Sequence, residues 1–178
     1  MIHSPAALWH ERQRFLPAVL AVAFSAGAQQ PNPLDVVPDK MPNDIPYGPA
    51  IPYERAQQAL NAAIAESTKR GWKLNIAVVD SGANLVAFAR MTGAQIGSIA
   101  IAEHKARASV KFRRETKAFE AGIQAGNNYL MTLDDVIASR GGIPLMDAGQ
   151  MIGAIGCSGG TGSQDEVVCR AGADAVKR

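Results

Sequence analysis

The sequence predicts an α+β fold in which helices cover a single antiparallel sheet. Two pairs of short apolar segments each flank a connection of hairpin length, and a hairpin joins strands that run antiparallel. Before, between and after these pairs, apolar residues recur at steps of three and four residues, which is typical of amphipathic helices. The predicted order is helix, hairpin, helix, hairpin, helix, and this order favours helices packed on one sheet in two or three layers.

The first helix and the first hairpin come early in the folded part of the chain. The helix is predicted at 53–69, and Gly71 follows it as a helix end signal. Its inward positions, which are mostly small, are Ala56, Ala59, Leu60, Ala63, Ile64 and Ser67. The many alanines favour close packing on a flat surface. Strands are predicted at 74–79 and 85–89, and the turn residues 80–84 connect them.

The second half of the chain repeats this alternation. A helix is predicted at 98–112, a short helix at 116–123, strands at 143–146 and 151–157, and a last helix at 163–177. The apolar stripe of the 98–112 helix is Ile99, Ala102, Ala106 and Val110. The residues of the last helix that we expect to face inward are Val167, Val168, Ala171 and Ala175.

A glycine-rich corner joins the last strand to the last helix. It consists of Ser158, Gly159, Gly160, Thr161 and Gly162. Ser163, with Glu166 three residues later, predicts a capping box that opens the helix. Backbone N–H groups of such a corner point outward at the positive end of the helix dipole, so the corner is a candidate anion site. The alternative is a tight turn that only packs the helix on the sheet.

The first 52 residues differ in composition from the rest. Residues 1–28 combine a basic flank, an uncharged apolar stretch and a small-x-small cleavage site, which predicts a secretory signal peptide; the alternative is a helix docked on the domain. Residues 29–52 contain seven prolines and no apolar periodicity, which predicts an extended arm. Its candidate anchors are Tyr47, Ile51 and Tyr53. Residues 53–178 are then one folded domain, and no segment has the roughly 20 apolar residues that span a bilayer.

The charge and cysteine content narrow the function classes. Without Glu11, Arg12 and Arg14 of the predicted signal peptide, 16 basic and 15 acidic side chains remain. This near-neutral balance argues against a nucleic-acid binder, which typically has a basic surface.

Cys157 and Cys169 remain in an expected oxidising compartment, where they can pair. Their spacing does not fix their separation; we expect two free, mostly buried thiols, with a disulfide as the alternative.

Three runs of sequence together resemble a known family. They are IAVVDSGANLVAFARMTGA from residue 76, IAIAEHKARAS from residue 99 and GGIPLMDAGQMIGAIGCSGGTGSQDE from residue 141. They are similar to the GlcG/HbpS-like haem-binding family, which is related to the C-terminal domain of PduO-type proteins. The resemblance implies an α+β fold with an antiparallel sheet of about five strands. It also implies self-association into dimers or larger symmetric rings, and haem binding in some secreted members.

Two features of that family differ in this sequence. Its Lys-Ala-Arg-Thr-Ala pattern reads Lys105-Ala106-Arg107-Ala108-Ser109, so Ala108 stands where the resemblance implicates a threonine at the iron. The Glu-x-x-Glu pairs that accompany haem breakdown in some members do not occur in the sequence. The resemblance therefore implies haem binding without support for haem degradation.

His104 is the candidate iron ligand because it is the only imidazole outside the predicted signal peptide. Neutral imidazole is a good axial ligand for haem iron. Lys105, Arg107 and Lys111 are the candidates to pair with the haem propionates. The alternative interpretation is a solvated basic face balanced by nearby glutamates. Structural zinc and nucleophilic catalysis lack the residue spacings that they need.

The residues and the resemblance favour a secreted or periplasmic homo-oligomer that binds haem or a similar tetrapyrrole. Two alternatives stay open. The first is a domain that binds small organic acids or anions, or acts on them, through the corner at 158–162. The second is an assembly partner without catalytic activity. No catalytic constellation is visible in the sequence, so no reaction is predicted.

Overall fold

Four antiparallel strands form the central sheet of this computed structural model, which describes residues 35–178. The strands are β1 (Asn75–Asp80), β2 (Leu85–Arg90), β3 (Gly142–Asp147) and β4 (Gln150–Ser158), in the spatial order β2-β1-β4-β3. Every neighbouring pair is antiparallel, which confirms the predicted fold class. The family resemblance implied about five strands, whereas residues 35–178 form four. The predicted signal peptide and the first residues of the arm lie outside the described residues.

Helices cover both faces of this sheet. They are α1 (Tyr53–Lys69), α2 (Ser98–Lys111), α3 (Lys117–Gln124) and α4 (Gly162–Val176), with a 3-10 turn at Asn128–Thr132. Side chains of β1 alternate between two cores, one shared with α1 and α4 and the other with α2. Residues 40–178 therefore form one compact unit of three layers. In the described part of the chain, none of the helices is long and apolar enough to cross a membrane.

Helix α2 lies close to the sheet because β4 carries Gly156 beneath it. A Cβ atom at Gly156 would lie 2.1 Å from the carbonyl oxygen of Ala102 and 2.5 Å from the backbone nitrogen of Ala106. No side chain fits in this space, so the glycine is required for the close approach. Ala102, Ala106 and Val110 of the predicted apolar stripe are buried against the sheet, whereas Ile99 is only half-buried.

Helix α4 buries a different stripe from the predicted one. The buried residues are Asp165, Val168, Cys169, Gly172, Ala173 and Val176. Val168 is confirmed, but Val167 is exposed, and Ala171 and Ala175 are only half-buried. The buried stripe keeps the helical spacing but includes an aspartate and a glycine, which an apolar pattern does not count.

The start of α4 also differs from the prediction. The N-cap is Thr161, whose hydroxyl accepts a hydrogen bond from the Gln164 N–H at 3.3 Å. The Gln164 side chain accepts one in return from the Thr161 N–H at 2.8 Å. The capping box predicted at Ser163 and Glu166 is wrong, because this box forms two residues earlier and the Glu166 carboxylate faces cations instead.

Cys157 and Cys169 form a disulfide, so the expectation of two free thiols is wrong. Their Cα atoms are 5.7 Å apart, which is a separation that a disulfide bridges. The glycine corner turns the chain so that α4 packs on β4, and the end of the strand comes to lie beside the second turn of the helix. Sequence spacing alone cannot supply that separation because it depends on the geometry of the corner.

The second half of the proline-rich arm lies along β4, beyond the end of β1. Tyr47 pairs with Met151 as a parallel bridge. The Tyr47 hydroxyl donates a hydrogen bond to the carbonyl of Val110 at 2.9 Å, and Ile51 is buried in the core. Tyr47 and Ile51 are therefore anchors, as predicted, whereas Tyr53 is exposed and anchors nothing.

Candidate functional site

A buried ion pair joins α2 to the start of α4. The Lys105 Nζ atom lies 2.8 Å from the Asp165 Oδ2 atom, and the two side chains are only 1% and 3% exposed. Position 105 falls on the sheet-facing side of α2, at helical spacing from the buried Ala102 and Ser109. The interpretation of Lys105 as part of a solvent-facing basic cluster is therefore wrong. In this arrangement the lysine does not reach a ligand on the surface.

Asp165 also organises the glycine corner from within. Its Oδ1 atom accepts a hydrogen bond from the Gly160 N–H at 3.0 Å. Burial raises the pKa of Asp165, and the Lys105 ammonium and the N–H groups of the corner oppose that shift. The corner therefore holds an internal carboxylate at the positive end of the α4 dipole, where an external anion was predicted.

The five corner residues differ in exposure. Ser158 is buried, Gly159 and Gly162 are half-buried, and Gly160 and Thr161 are exposed. Two of their N–H groups are already bonded to side chains of the chain itself. An external anion would have to displace or share these bonds. Anion binding at the corner stays a prediction.

Gly141 is part of this cluster, which sequence reasoning missed. Its φ is 114°, and a Cβ atom there would lie 2.8 Å from the Asp165 Cβ and 3.3 Å from the Lys105 Nζ. The position needs glycine both for its backbone conformation and for the room that it leaves. The only signal in the sequence was the Gly141-Gly142 pair, which by itself indicates a turn before β3.

His104, Arg107 and Lys111 share an outer face of α2, since they are spaced by three and four residues. One nitrogen of Arg107 lies 2.9 Å from the Glu103 carboxylate, and the Lys111 Nζ lies 2.5 Å from an Asp135 oxygen. Three of the four residues predicted to bind the cofactor are thus brought together. Lys105 is the exception.

The His104 ring has one buried nitrogen. Its Nε2 atom is inaccessible to solvent and has no hydrogen-bond partner among residues 35–178. Leaving a buried polar atom unpaired costs about 1–3 kcal/mol, so such atoms are rare in native proteins. A metal ion is one partner that satisfies an imidazole nitrogen. A free imidazole nitrogen with two cations on the following turns fits the donor set that haem requires.

Ala108 does not belong to this outer face. It stands at the position where the family resemblance implicates a threonine, and it is fully buried. A side chain at this position does not reach a ligand that contacts the outer face of α2. Ala108 therefore supplies neither the oxygen nor the exposed position that the resemblance implies for an iron contact.

Asp135 is a second residue that sequence reasoning missed. It lies between the 3-10 turn and β3, and its hydrogen bond with Lys111 lowers its pKa, with smaller contributions from His104 and Arg107. Positive charge on the outer face of α2 therefore stabilises the ionised form of the Asp135 carboxylate. No local pattern links Asp135 to Lys111, because the two are 24 positions apart.

Two surface cavities lie elsewhere on the described part of the chain. One, of about 190 Å³, has an apolar floor that includes Ile143, Pro144 and Met146. The other, of about 370 Å³, is lined in part by Trp72 and Met91. None of the predicted site residues lines either cavity. A ligand on His104 would therefore occupy neither of these two cavities.

Comparison with known proteins agrees with this fold. Protein GlcG of Escherichia coli (strain K12) is 38% identical over 107 residues, which are 58% of this chain and 80% of GlcG. A double mutant of HbpS from Streptomyces reticuli has a similar crystal structure, with a TM-score of 0.69 and 26% identity over 80% of this chain and 97% of that one.

A further crystal structure, of PduOC in complex with haem, is similar in fold, with a TM-score of 0.65 and 24% identity over 71% of this chain and 95% of that one. The family described as haem degrading protein HbpS-like matches residues 51–174. This match covers well over half of the chain and confirms the resemblance seen in the sequence. The chain therefore belongs to the haem degrading protein HbpS-like family.

Proposed function

We propose that this protein is a secreted or periplasmic homo-oligomer that binds haem through His104. The observation that carries the proposal is the buried, unpartnered Nε2 atom of His104. Iron would give this nitrogen the partner that residues 35–178 do not supply. His104 is also the only histidine beyond residue 28, so the chain offers no other imidazole once the predicted signal peptide is removed.

Arg107 and Lys111 are the proposed partners of the haem propionates. Both side chains are partly exposed, and each already faces a carboxylate, Glu103 in one case and Asp135 in the other. Exposed ion pairs of this kind are weak, so a propionate can replace the protein carboxylate with little loss of stabilising free energy. Lys105 is left out of the proposed site because its ammonium is buried with Asp165.

Bound haem would supply an iron centre whose chemistry depends on its axial ligand and on the polarity around it. The chain itself would hold the iron through His104 and orient the macrocycle through the two cations. The family description and the crystal structure of PduOC in complex with haem also support haem binding.

Export and self-association are part of the same proposal. The Cys157–Cys169 disulfide supports export, because disulfides persist in oxidising compartments. Exposed apolar side chains support self-association, since such groups are often covered by a partner. They include Leu85 and Ile96.

The test is a haem titration of residues 29–178, followed in the Soret region, with His104→Ala beside the wild type. Tyr53→Ala is the matched control, because it removes an exposed aromatic ring from α1, on the opposite face of the sheet. We expect a saturable Soret shift at stoichiometric haem in the wild type and in Tyr53→Ala. In His104→Ala the shift should be lost or displaced to shorter wavelength.

Other results would contradict the proposal in distinguishable ways. A weak, unsaturating spectrum in the wild type would rule out haem binding. Thermal unfolding with small carboxylates would then test anion binding at the glycine corner. A stable oligomer whose melting temperature no ligand raises would indicate an assembly partner. Equal haem binding by wild type and His104→Ala would leave the haem-binding proposal in place and exclude His104 as the iron ligand.

A further inference from the structure

The segment of residues 131–139 is tied down at its two ends. Leu130, just before it, is buried. Arg140, just after it, bonds the Glu120 carboxylate through its backbone N–H at 3.0 Å and through its guanidinium at 2.7 Å. Between these anchors the chain is largely exposed, including the apolar side chains of Met131 and Leu133.

One contact joins the middle of this segment to the rest of the domain. Among the hydrogen bonds and ion pairs of residues 35–178, only the pair of Asp135 with Lys111, at 2.5 Å, connects residues 131–139 to another element. Val136 bonds within the segment, to the carbonyl of Leu133. A single exposed ion pair is therefore the only polar contact of the described residues that holds the middle of the segment over α2, where the side chains of Val136 and Ile137 are half-buried.

The helix face that receives this contact is the face of His104. Lys111 lies seven residues, or about two turns, beyond His104 on α2. The pKa of Asp135 is lowered first by Lys111 and then, to a smaller extent, by His104 and Arg107. The Asp135 carboxylate thus contacts one of the three proposed ligand-binding groups, Lys111, directly and is close enough to feel the charge of the other two.

We propose that residues 131–139 form a lid over the His104 face, and that the Asp135–Lys111 pair is its latch. The inference rests on the proposed haem binding. Lys111 cannot hold Asp135 and a propionate in the same way at once, so haem would exchange one carboxylate for another and release the lid. The freed segment would then lay Met131 and Leu133 against the apolar macrocycle.

The latch can be tested first without haem. Chymotrypsin cleaves after large apolar residues, and its initial rate at residues 129–133 of the ligand-free protein, identified by mass spectrometry, reports how often the lid opens. Asp135→Asn should raise this rate by roughly twofold to fivefold, because the one polar contact in the middle of the segment, an exposed ion pair, is lost. Glu103→Gln is the matched control: it removes a carboxylate from the same helix face, where Glu103 binds Arg107, but leaves the lid untouched.

Haem binding then separates the latch from the ligand site. Asp135→Asn and Lys111→Gln should both speed cleavage, since each breaks the same pair. In stopped-flow Soret measurements, Asp135→Asn should bind haem several-fold faster than wild type, whereas Lys111→Gln should release haem faster because it lacks the propionate partner.

Three results would overturn the inference. If Asp135→Asn is cleaved at the wild-type rate, the latch is wrong, whatever haem does. If cleavage accelerates but haem associates at the wild-type rate, the lid does not gate the site. If the wild type binds no haem at all, the proposed function fails and gating fails with it, while accelerated cleavage would still identify the ion pair as the contact that holds the segment.

Discussion

The substitution Asp165→Asn tests whether the buried ion pair holds α2 to α4. In the wild type the two carboxylate oxygens have different partners: Oδ1 accepts from the Gly160 N–H at 3.0 Å, and Oδ2 accepts from the Lys105 ammonium at 2.8 Å. An asparagine has one carbonyl oxygen, so it can serve only one of them and must turn its NH₂ group toward the other donor. The variant therefore leaves a buried charge without its counter-ion.

The expected cost follows from the burial of the pair. Removing one partner of a buried ion pair typically destabilises a protein by about 3–5 kcal/mol. The Lys105 and Asp165 side chains are only 1% and 3% exposed, so solvent cannot screen the orphaned ammonium. The polar asparagine offsets part of the loss, which places the expected change near 3 kcal/mol. With a urea slope of about 1.5 kcal/mol per molar, the unfolding midpoint should fall by about 2 M.

The assay is urea unfolding of residues 29–178 at neutral pH, followed by far-UV circular dichroism. Asp174→Asn is the matched control, because it makes the same chemical change at an exposed position of the same helix, and its cost should be below about 0.5 kcal/mol. The double variant Lys105→Met with Asp165→Asn should regain stability relative to Asp165→Asn alone, since it removes the unpaired charge. A midpoint for Asp165→Asn that falls no further than that of the control would refute the reasoning.

Three further changes probe other parts of the fold. Cys157→Ser should lower the free energy of unfolding by about 2–4 kcal/mol in urea, and a reductant should have no additional effect on the variant. Arg140 lowers the pKa of Glu120 from its ordinary value of 4.5. The ionised carboxylate therefore stabilises the fold above about pH 4.5, and this stabilisation is lost as the pH falls through the pKa that Glu120 has in the folded protein. In Glu120→Gln, the urea midpoint should depend less on pH on the acid side. Gly141→Ala should cost at least about 2 kcal/mol more than Gly126→Ala in thermal unfolding, because both positions have a positive φ but only Gly141 lacks room for a Cβ atom.

Much of the fold was accessible from the sequence because it is encoded locally. The bounds of α1 were predicted as the structure has them, and both hairpins occur where turn residues separate apolar runs. Helical periodicity and turn chemistry involve residues within a few positions of one another, so a single sequence displays them directly. The prediction weakened where a polar residue took an inward position, as Asp165 does in α4.

The site was less accessible because its contacts join distant positions. Lys105 meets Asp165 across 60 residues and Lys111 meets Asp135 across 24, and neither partner is indicated by its neighbours in the chain. Lys105 shows the difficulty most clearly. A lysine surrounded by charged residues on a helix predicts a solvated face. Position 105 is one residue, or about 100° of rotation, beyond His104, and this places the lysine against the sheet with a buried counter-ion.

The runs of sequence that carry the family resemblance are explained mainly by this internal architecture. Gly141 makes room for the ion pair, Gly156 lets α2 approach β4, and Asp165 bonds the corner from within. These residues are therefore accounted for by folding, without a ligand. Because the resemblance rests on them, it transfers the fold more directly than the ligand. The residues that decide what this chain binds are then to be sought on the outer face of α2, where His104 and Lys111 have no role in the core.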